Sequence, residues 1–160
     1  MNKENKKLNV GDVAAQFSLP DQNSNVRTLK EFSDKWLLIY FYPKDNTPGC
    51  TTEACEIRDN WGEFKKAGIG VVGISTDSVE SHKKFGGKHS LPFTILSDTE
   101  KKVVEAYGVW GMKSFMGKTF MGIRRTSFLI DPRGKIAKIY ENVKPAEHAK
   151  EVLRDIQSLL

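Results

Sequence analysis

The chain has only two cysteines, Cys50 and Cys55, among its 160 residues. A secreted scaffold held by disulfides would need more of them and a leader sequence. Its three histidines, His82, His89 and His148, are scattered and far from the cysteines, so the spacing contains no four-ligand zinc set. Neither a metal nor a cofactor is expected. Long apolar runs are missing as well. The longest dense one, Trp36 to Tyr42, has seven residues, whereas a membrane-spanning helix needs roughly twenty. The polar start from Met1 to Lys7 has no apolar segment behind it, so no signal peptide is visible, and a soluble cytoplasmic protein without membrane contacts is expected. Runs of one charge sign are also absent. Lys and Arg number 25 against 20 Asp and Glu, a net charge of +5, but they occur as pairs such as Lys65-Lys66 and Arg124-Arg125 with acids interspersed. Unfocused charge of this kind means a solvated surface, so no nucleic-acid partner is expected.

What is present is an alternation of two periodicities. Trp36–Tyr42 is near-continuously apolar and reads as a strand buried on both faces. Residues 68–75, 93–96, 126–130 and 136–140 read as further strands, with Asp131-Pro132-Arg133-Gly134 as the turn joining the last two. Between them lie helical stripes. Ala54, Ile57, Trp61 and Phe64 mark a helix over about 51–66, and Asp77 or Ser78 caps one running to about Lys88. Asp98 or Thr99 caps a third that ends at Gly108, and a final helix starts at Pro145. Phe17 to Thr28, broken by Pro20-Asp21-Gln22-Asn23, reads as a short hairpin. The expectation is a single α/β domain over residues 1–160, with a mixed central sheet, helices on both faces and an N-terminal hairpin.

Chemistry concentrates in Pro43-Lys44-Asp45-Asn46-Thr47-Pro48-Gly49-Cys50-Thr51-Thr52-Glu53-Ala54-Cys55. The segment leaves the C-terminal end of the most buried strand, where open α/β sheets place their sites. It turns through Pro48-Gly49 and puts Cys50 in the first turn of the following helix. Unpaired N–H groups and the helix dipole favour an anion there, and helix N-termini make cysteines nucleophilic by favouring the thiolate. Cys55 lies five residues on. In an intact helix that spacing separates the Cα atoms by about 8.7 Å on different faces, whereas a disulfide needs less than about 7 Å. The two thiols can join only if the helix start unwinds.

These residues resemble the peroxiredoxin signature P-x-x-x-T-x-x-C, matched by Pro43, Thr47 and Cys50. The second cysteine five residues later is similar to the bacterioferritin comigratory protein, or peroxiredoxin Q, subgroup. The likeness covers nearly the whole chain. Gly11 to Pro20 is similar to the family's opening, Tyr107-Gly108-Val109-Trp110 and Gly117 to Ile123 to the subgroup's central loop, and Arg125 to Asp131 to the strand bearing the family's active-site arginine. The resemblance implies a thioredoxin-like fold and a thiol peroxidase acting on hydrogen peroxide and organic hydroperoxides. It also implies Cys50 as the peroxidatic cysteine, Cys55 as the resolving one that closes an intramolecular disulfide, a thioredoxin-type protein as reductant, and a monomer.

Each helper has its own physics. Arg125 carries a permanent charge and several donors, which stabilise a thiolate and the alkoxide leaving a broken O–O bond. Arg124 points to the opposite face of the strand and is expected to be solvated. The Thr47 hydroxyl can donate to the thiolate or the peroxide; alternatively it closes a loop hydrogen bond. Pro43 would shape the loop and exclude water. Glu53, in the first helical turn, is accounted for by capping and dipole complementation. Trp110, Met112, Phe115, Met116, Phe120 and Met121 crowd one Gly-punctuated loop, either as an apolar collar beside the site or as packing over the sheet. Two other functions remain to be weighed: a general thiol–disulfide oxidoreductase, which leaves Arg125 and Thr47 idle, and a non-catalytic binding module on the same fold.

Overall fold

The computed structural model describes residues 7–160. The first six residues, on which the expectation about a leader rests, lie outside the described part. Five strands form the central sheet: β3 (Trp36–Phe41), β4 (Ile69–Ser75), β5 (Thr94–Ser97), β8 (Thr126–Ile130) and β9 (Ile136–Tyr140). Their spatial order is β5-β4-β3-β8-β9. The pairs β3–β4 and β4–β5 run parallel, while β8 is antiparallel to both β3 and β9. The sheet is therefore mixed, with β3 at its centre. Two hairpins flank it: β1 (Ser18–Pro20) with β2 (Val26–Thr28), and β6 (Trp110–Phe115) with β7 (Lys118–Ile123).

Strand alternation divides the core into two layers. Leu38, Tyr40 and Tyr42 face one side, where α1 (Pro48–Asp59), α2 (Trp61–Lys66), α3 (Val79–Lys88) and α5 (His148–Leu159) contribute Ala54, Phe64, Phe85 and Val152. Leu37, Ile39 and Phe41 face the other, covered by Val103 and Val104 of α4 (Lys102–Ala106) and by Ala14 and Phe17. Every residue of β3 after Trp36 is buried, as its unbroken apolar run requires. A sheet covered by helices on both faces, with an N-terminal hairpin, is the fold class expected from the sequence.

Four elements differ from that expectation, the simplest being the final helix, which starts at His148 rather than Pro145. The helix read over 51–66 starts at Pro48 and divides at Asn60, whose side-chain amide donates to the Glu56 carbonyl at 2.8 Å. This local bond competes with helix continuation. The third helix starts at Lys102, yet Asp98 still serves it, since its carboxylate accepts the N–H groups of Val103 and Val104 at 3.0 and 2.8 Å. The Gly-punctuated segment after Trp110 is no loop but the β6–β7 hairpin. Met116 (φ 51°) and Gly117 (φ 78°) make its two-residue turn, and Gly111 pairs with Gly122 across it. Two positive φ values in a two-residue turn match the twist of the strands. A methionine where asparagine is usual, and glycines inside both strands, hid the pattern.

Candidate active site

The site is built where β3 ends. The Tyr42 N–H extends the ladder by one residue, donating to the Ile74 carbonyl at 3.2 Å. The chain then crosses a short loop to Thr47, the N-cap of α1, whose extended backbone (φ −90°, ψ 152°) lets its carbonyl accept the Thr51 N–H at 2.9 Å. Pro48 stands at the first helical position and has no N–H to lose. Cys50 is the third helical residue, in the turn whose N–H groups lack helical acceptors. Its side chain is only 1% exposed, and both cysteines are free thiols. Cys55, half-buried, sits in the same unbroken helix.

Arg125 meets the sulfur. Its Nη2 donates to Cys50 Sγ at 3.4 Å, while Nη1 donates to Glu53 Oε1 at 2.9 Å. The residue precedes β8, where Ser127 and Leu129 face the layer of α1 and where Thr126, Phe128 and Ile130 face away. Alternation thus sends Arg125 to the cysteine and Arg124 to the far side. Arg124 is exposed, as expected, and its guanidinium lies over Gly111, where any Cβ would collide with it. Thr47 is half-buried and donates its hydroxyl to the Lys44 carbonyl at 2.8 Å. That is the loop bond considered as its alternative role, and it leaves the hydroxyl lone pairs free to accept. Pro43 stands half-buried at the head of the loop.

Two residues of this arrangement were not recognised in the sequence. Glu53 was expected in the first turn as a cap and dipole partner, but α1 starts at Pro48 and places it in the second turn. It is fully buried, pairs with Arg125, and has its Oε2 without a protein partner among the described residues. Burial pushes its carboxyl up to about 7 against the opposing pull of Arg125. Its place three residues after Cys50, beside Ala54 and Ile57 on the buried stripe, was the available signal. Gly49 is the second. A Cβ there would stand 2.9 Å from Arg125 Nη2, so glycine lets the guanidinium reach the sulfur.

The β6–β7 hairpin borders the site. Lys113 donates to the Ile123 carbonyl at 2.9 Å. Its pKa is lowered by burial and by the charge of Arg125, with Cys50 pulling the other way. Met112, Phe115, Met116, Phe120 and Met121 are exposed on the hairpin rather than packed over the sheet, Met116 to 86%. Only Trp110 is partly buried against the layer behind it.

The AhpC/TSA family matches residues 10–139 of the chain. Peroxiredoxin Bcp of Escherichia coli is 52% identical over 146 residues, covering 91% of this chain and 94% of that protein. The chain is a Bcp/PrxQ peroxiredoxin. Peroxiredoxin Bcp of Bacillus subtilis is 41% identical over 152 residues, or 95% of this chain and 97% of its own. Among solved structures, Xanthomonas campestris bacterioferritin comigratory protein, captured as trapped intermediate and ligand complexes in work on alkyl peroxide reduction, superposes with a TM-score of 0.86. It has 36% identity and covers 95% of this chain and 97% of the other. A Xylella fastidiosa PrxQ gives a TM-score of 0.90 at 34% identity, covering 96% and 98%. The fold is accordingly the thioredoxin-like fold of AhpC/TSA peroxiredoxins, and the activity of this peroxiredoxin is that of a thiol peroxidase. No helix among the described residues is long and apolar enough to cross a membrane.

Proposed function

We propose that Cys50 is the peroxidatic cysteine and Cys55 its resolving partner in a single-chain cycle. The observation that carries this reading is the buried Cys50 sulfur at a helix start, receiving a hydrogen bond from Arg125. The Cys50 thiolate attacks the distal oxygen of ROOH, the O–O bond breaks, and RO⁻ leaves, taking up a proton as ROH. Arg125 holds the attacking sulfur and the developing negative charge on the departing oxygen. Cys50 is left as sulfenic acid. The Cys55 thiolate then attacks the Cys50 sulfur, the S–O bond breaks, and the oxygen leaves as water with a proton. A dithiol protein of the thioredoxin type restores both thiols by exchange. A cycle that ends in two free thiols fits a reducing compartment such as the cytoplasm, and both thiols being on one chain supports a monomer.

Thr47 accepts from, and Pro43 screens, the approaching peroxide in this reading. Cys50 has a charged donor and a floor of orphan helix N–H groups, whereas a plain thiol–disulfide exchanger needs no arginine on its sulfur. Organic hydroperoxides and hydrogen peroxide share the O–O group that this geometry addresses. The test is thiol counting by mass spectrometry, on alkylated protein before and after one equivalent of peroxide. The parent should lose both free thiols to one bridged peptide. Cys55→Ser should complete one turnover and stop at sulfenic acid, and Cys50→Ser should consume no peroxide. Peroxide consumption by Cys50→Ser would overturn the assignment.

A further inference from the structure

A second polar cluster lies beneath the loop that precedes Cys50. Asp45, on that loop, is almost fully buried and so is His82 of α3. The Tyr42 hydroxyl donates to Asp45 Oδ1 at 2.7 Å, the Ser81 hydroxyl to Oδ2 at 2.8 Å, and His82 Nδ1 lies 2.7 Å from Oδ2. His82 Nε2 lies 2.9 Å from the Leu96 carbonyl. A carbonyl can only accept, so Nε2 carries a proton, and Nδ1 shares a short hydrogen bond with the Asp45 carboxyl. Asp77 completes the group by accepting the Asp45 backbone N–H at 2.9 Å. The donor atoms of Asp45, Asp77 and His82 lie within 4.8 Å of one another, but these hydrogen bonds already occupy them.

A polar cluster buried this deeply is costly to assemble, so its position calls for another explanation. The peptide group between Lys44 and Asp45 supplies one. Its N–H is held by Asp77, and its C=O is the acceptor of the Thr47 hydroxyl. One rigid plane therefore connects the buried cluster to the side chain of Thr47, the residue at the N-cap position of the Cys50 helix. If that plane rotates, the Thr47 hydroxyl loses its partner and its lone pairs lose their fixed direction.

We propose that Asp45 and His82 are positioning residues for the peroxide step, acting through the Lys44–Asp45 peptide to aim Thr47. The proposal rests on the reading of Cys50 and Thr47 above. It concerns the first chemical step alone and not resolution by Cys55.

Stopped-flow measurement on the full chain separates the two steps: loss of the Cys50 thiolate reports the first, and disulfide closure after saturating peroxide the second. Asp45→Asn and His82→Gln should each slow the peroxide step about tenfold or more, the scale of effect expected from misplacing a reacting group. Closure should stay within about twofold of the parent, the margin for an uncoupled site. The decisive arm is a double-mutant cycle. In a Thr47→Val background, Asp45→Asn should slow the peroxide step by less than about twofold, because the group it positions is gone. A merely structural role would give the same loss in both backgrounds, and that result overturns the proposal. If these variants fold poorly, Tyr42→Phe removes one donor to Asp45 and leaves the Asp45–His82 hydrogen bond. It should slow the peroxide step in the parent but not in Thr47→Val, and equal slowing in both would again overturn the idea. Val104→Ala, in the far core layer, serves as a stability control and should melt lower while its peroxide rate is unchanged. If Cys50→Ser still consumed peroxide, the underlying reading would fail. If only Cys50→Ser were inactive and the Asp45 and His82 variants kept the parent rate, the positioning role alone would fail.

Discussion

Glu53 is a carboxyl with no exposed surface, facing Arg125 through one oxygen. Burial disfavours its charged form, Arg125 favours it, and burial wins, which moves the group from 4.5 to about 7. In the unfolded chain it releases its proton near 4.5, whereas in the folded chain it keeps the proton until about 7. Between these values the folded state binds more protons, so its stability falls as pH rises. The contribution is fully present below 4.5 and is lost as pH climbs through 7. At about 1.4 kcal/mol per pH unit, the displacement amounts to about 3 kcal/mol.

Glu53→Gln isolates this effect. Glutamine has similar shape, can offer its amide oxygen to Arg125 Nη1, and does not titrate. Urea unfolding of the parent and of the variant at a series of pH values gives two stability curves, and their difference cancels the other titrating groups. Parent minus variant should fall by about 3 kcal/mol from about pH 4 to about pH 8. A flat difference would mean that Glu53 is no more buried in effect than in the unfolded chain. A rising difference would mean that the ion pair with Arg125 outweighs desolvation, and the reasoning would then have the wrong sign.

Gly49→Ala places a methyl against the Arg125 guanidinium, so it should slow the peroxide step as Arg125→Ala does, while Arg124→Ala should leave it near the parent rate; equal losses in Arg124→Ala and Arg125→Ala, read by stopped flow, would contradict the strand alternation. Oxidation with one equivalent of peroxide should raise amide exchange over residues 48–57 and leave β3 and β4 protected. Unchanged protection at the start of α1 would mean that Cys50 is resolved by a thiol other than Cys55.

Much of this site was readable because its rules are local. Cys50 follows Pro48-Gly49 at a helix start, and Arg125 precedes a strand whose alternation decides which of two arginines faces inward. The strands at 126–130 and 136–140 carried their pattern in the residues themselves and stand where expected. Glu53 was misread because the helix was expected to start about three residues later, at about Thr51, which would have made it a first-turn acid. Only the approach of Arg125, 72 residues away, makes its burial tolerable. The role of Gly49 depends on that same approach. The Asp45–His82 pair spans 37 residues, and no spacing rule connects a loop aspartate to a helix histidine. Its one local trace is His82 three residues before Phe85, on the face that α3 buries. The β6–β7 hairpin was hidden for another reason, since glycines within strands and methionine in a turn weaken the propensities that announce a hairpin.

Closing a bond between Cys50 and Cys55 requires α1 to lose its first turns, and the structure contains features that bound such a change. Each backbone hydrogen bond given up costs about 1 kcal/mol net, and Cys50 and Ala54 leave a core in which both are almost fully buried. A disruption of that cost must stay short. At its C-terminal end the helix is already interrupted at Asn60, where the side-chain bond to Glu56 ends α1 and lets α2 begin separately. Phe64, wholly buried on α2, can remain docked while α1 unwinds. At the N-terminal end Asp45 is tied to Tyr42, Ser81, His82 and Asp77, and Asn46 follows it with a positive φ of 60°. The left-handed region costs an asparagine less than most residues, which makes this junction an inexpensive place for the chain to swivel. Residues 46–60 thus form a segment with a fixed point on each side. A five-residue cysteine spacing suits this architecture, because both cysteines lie wholly inside the part that would have to move and the sheet beneath it need not change.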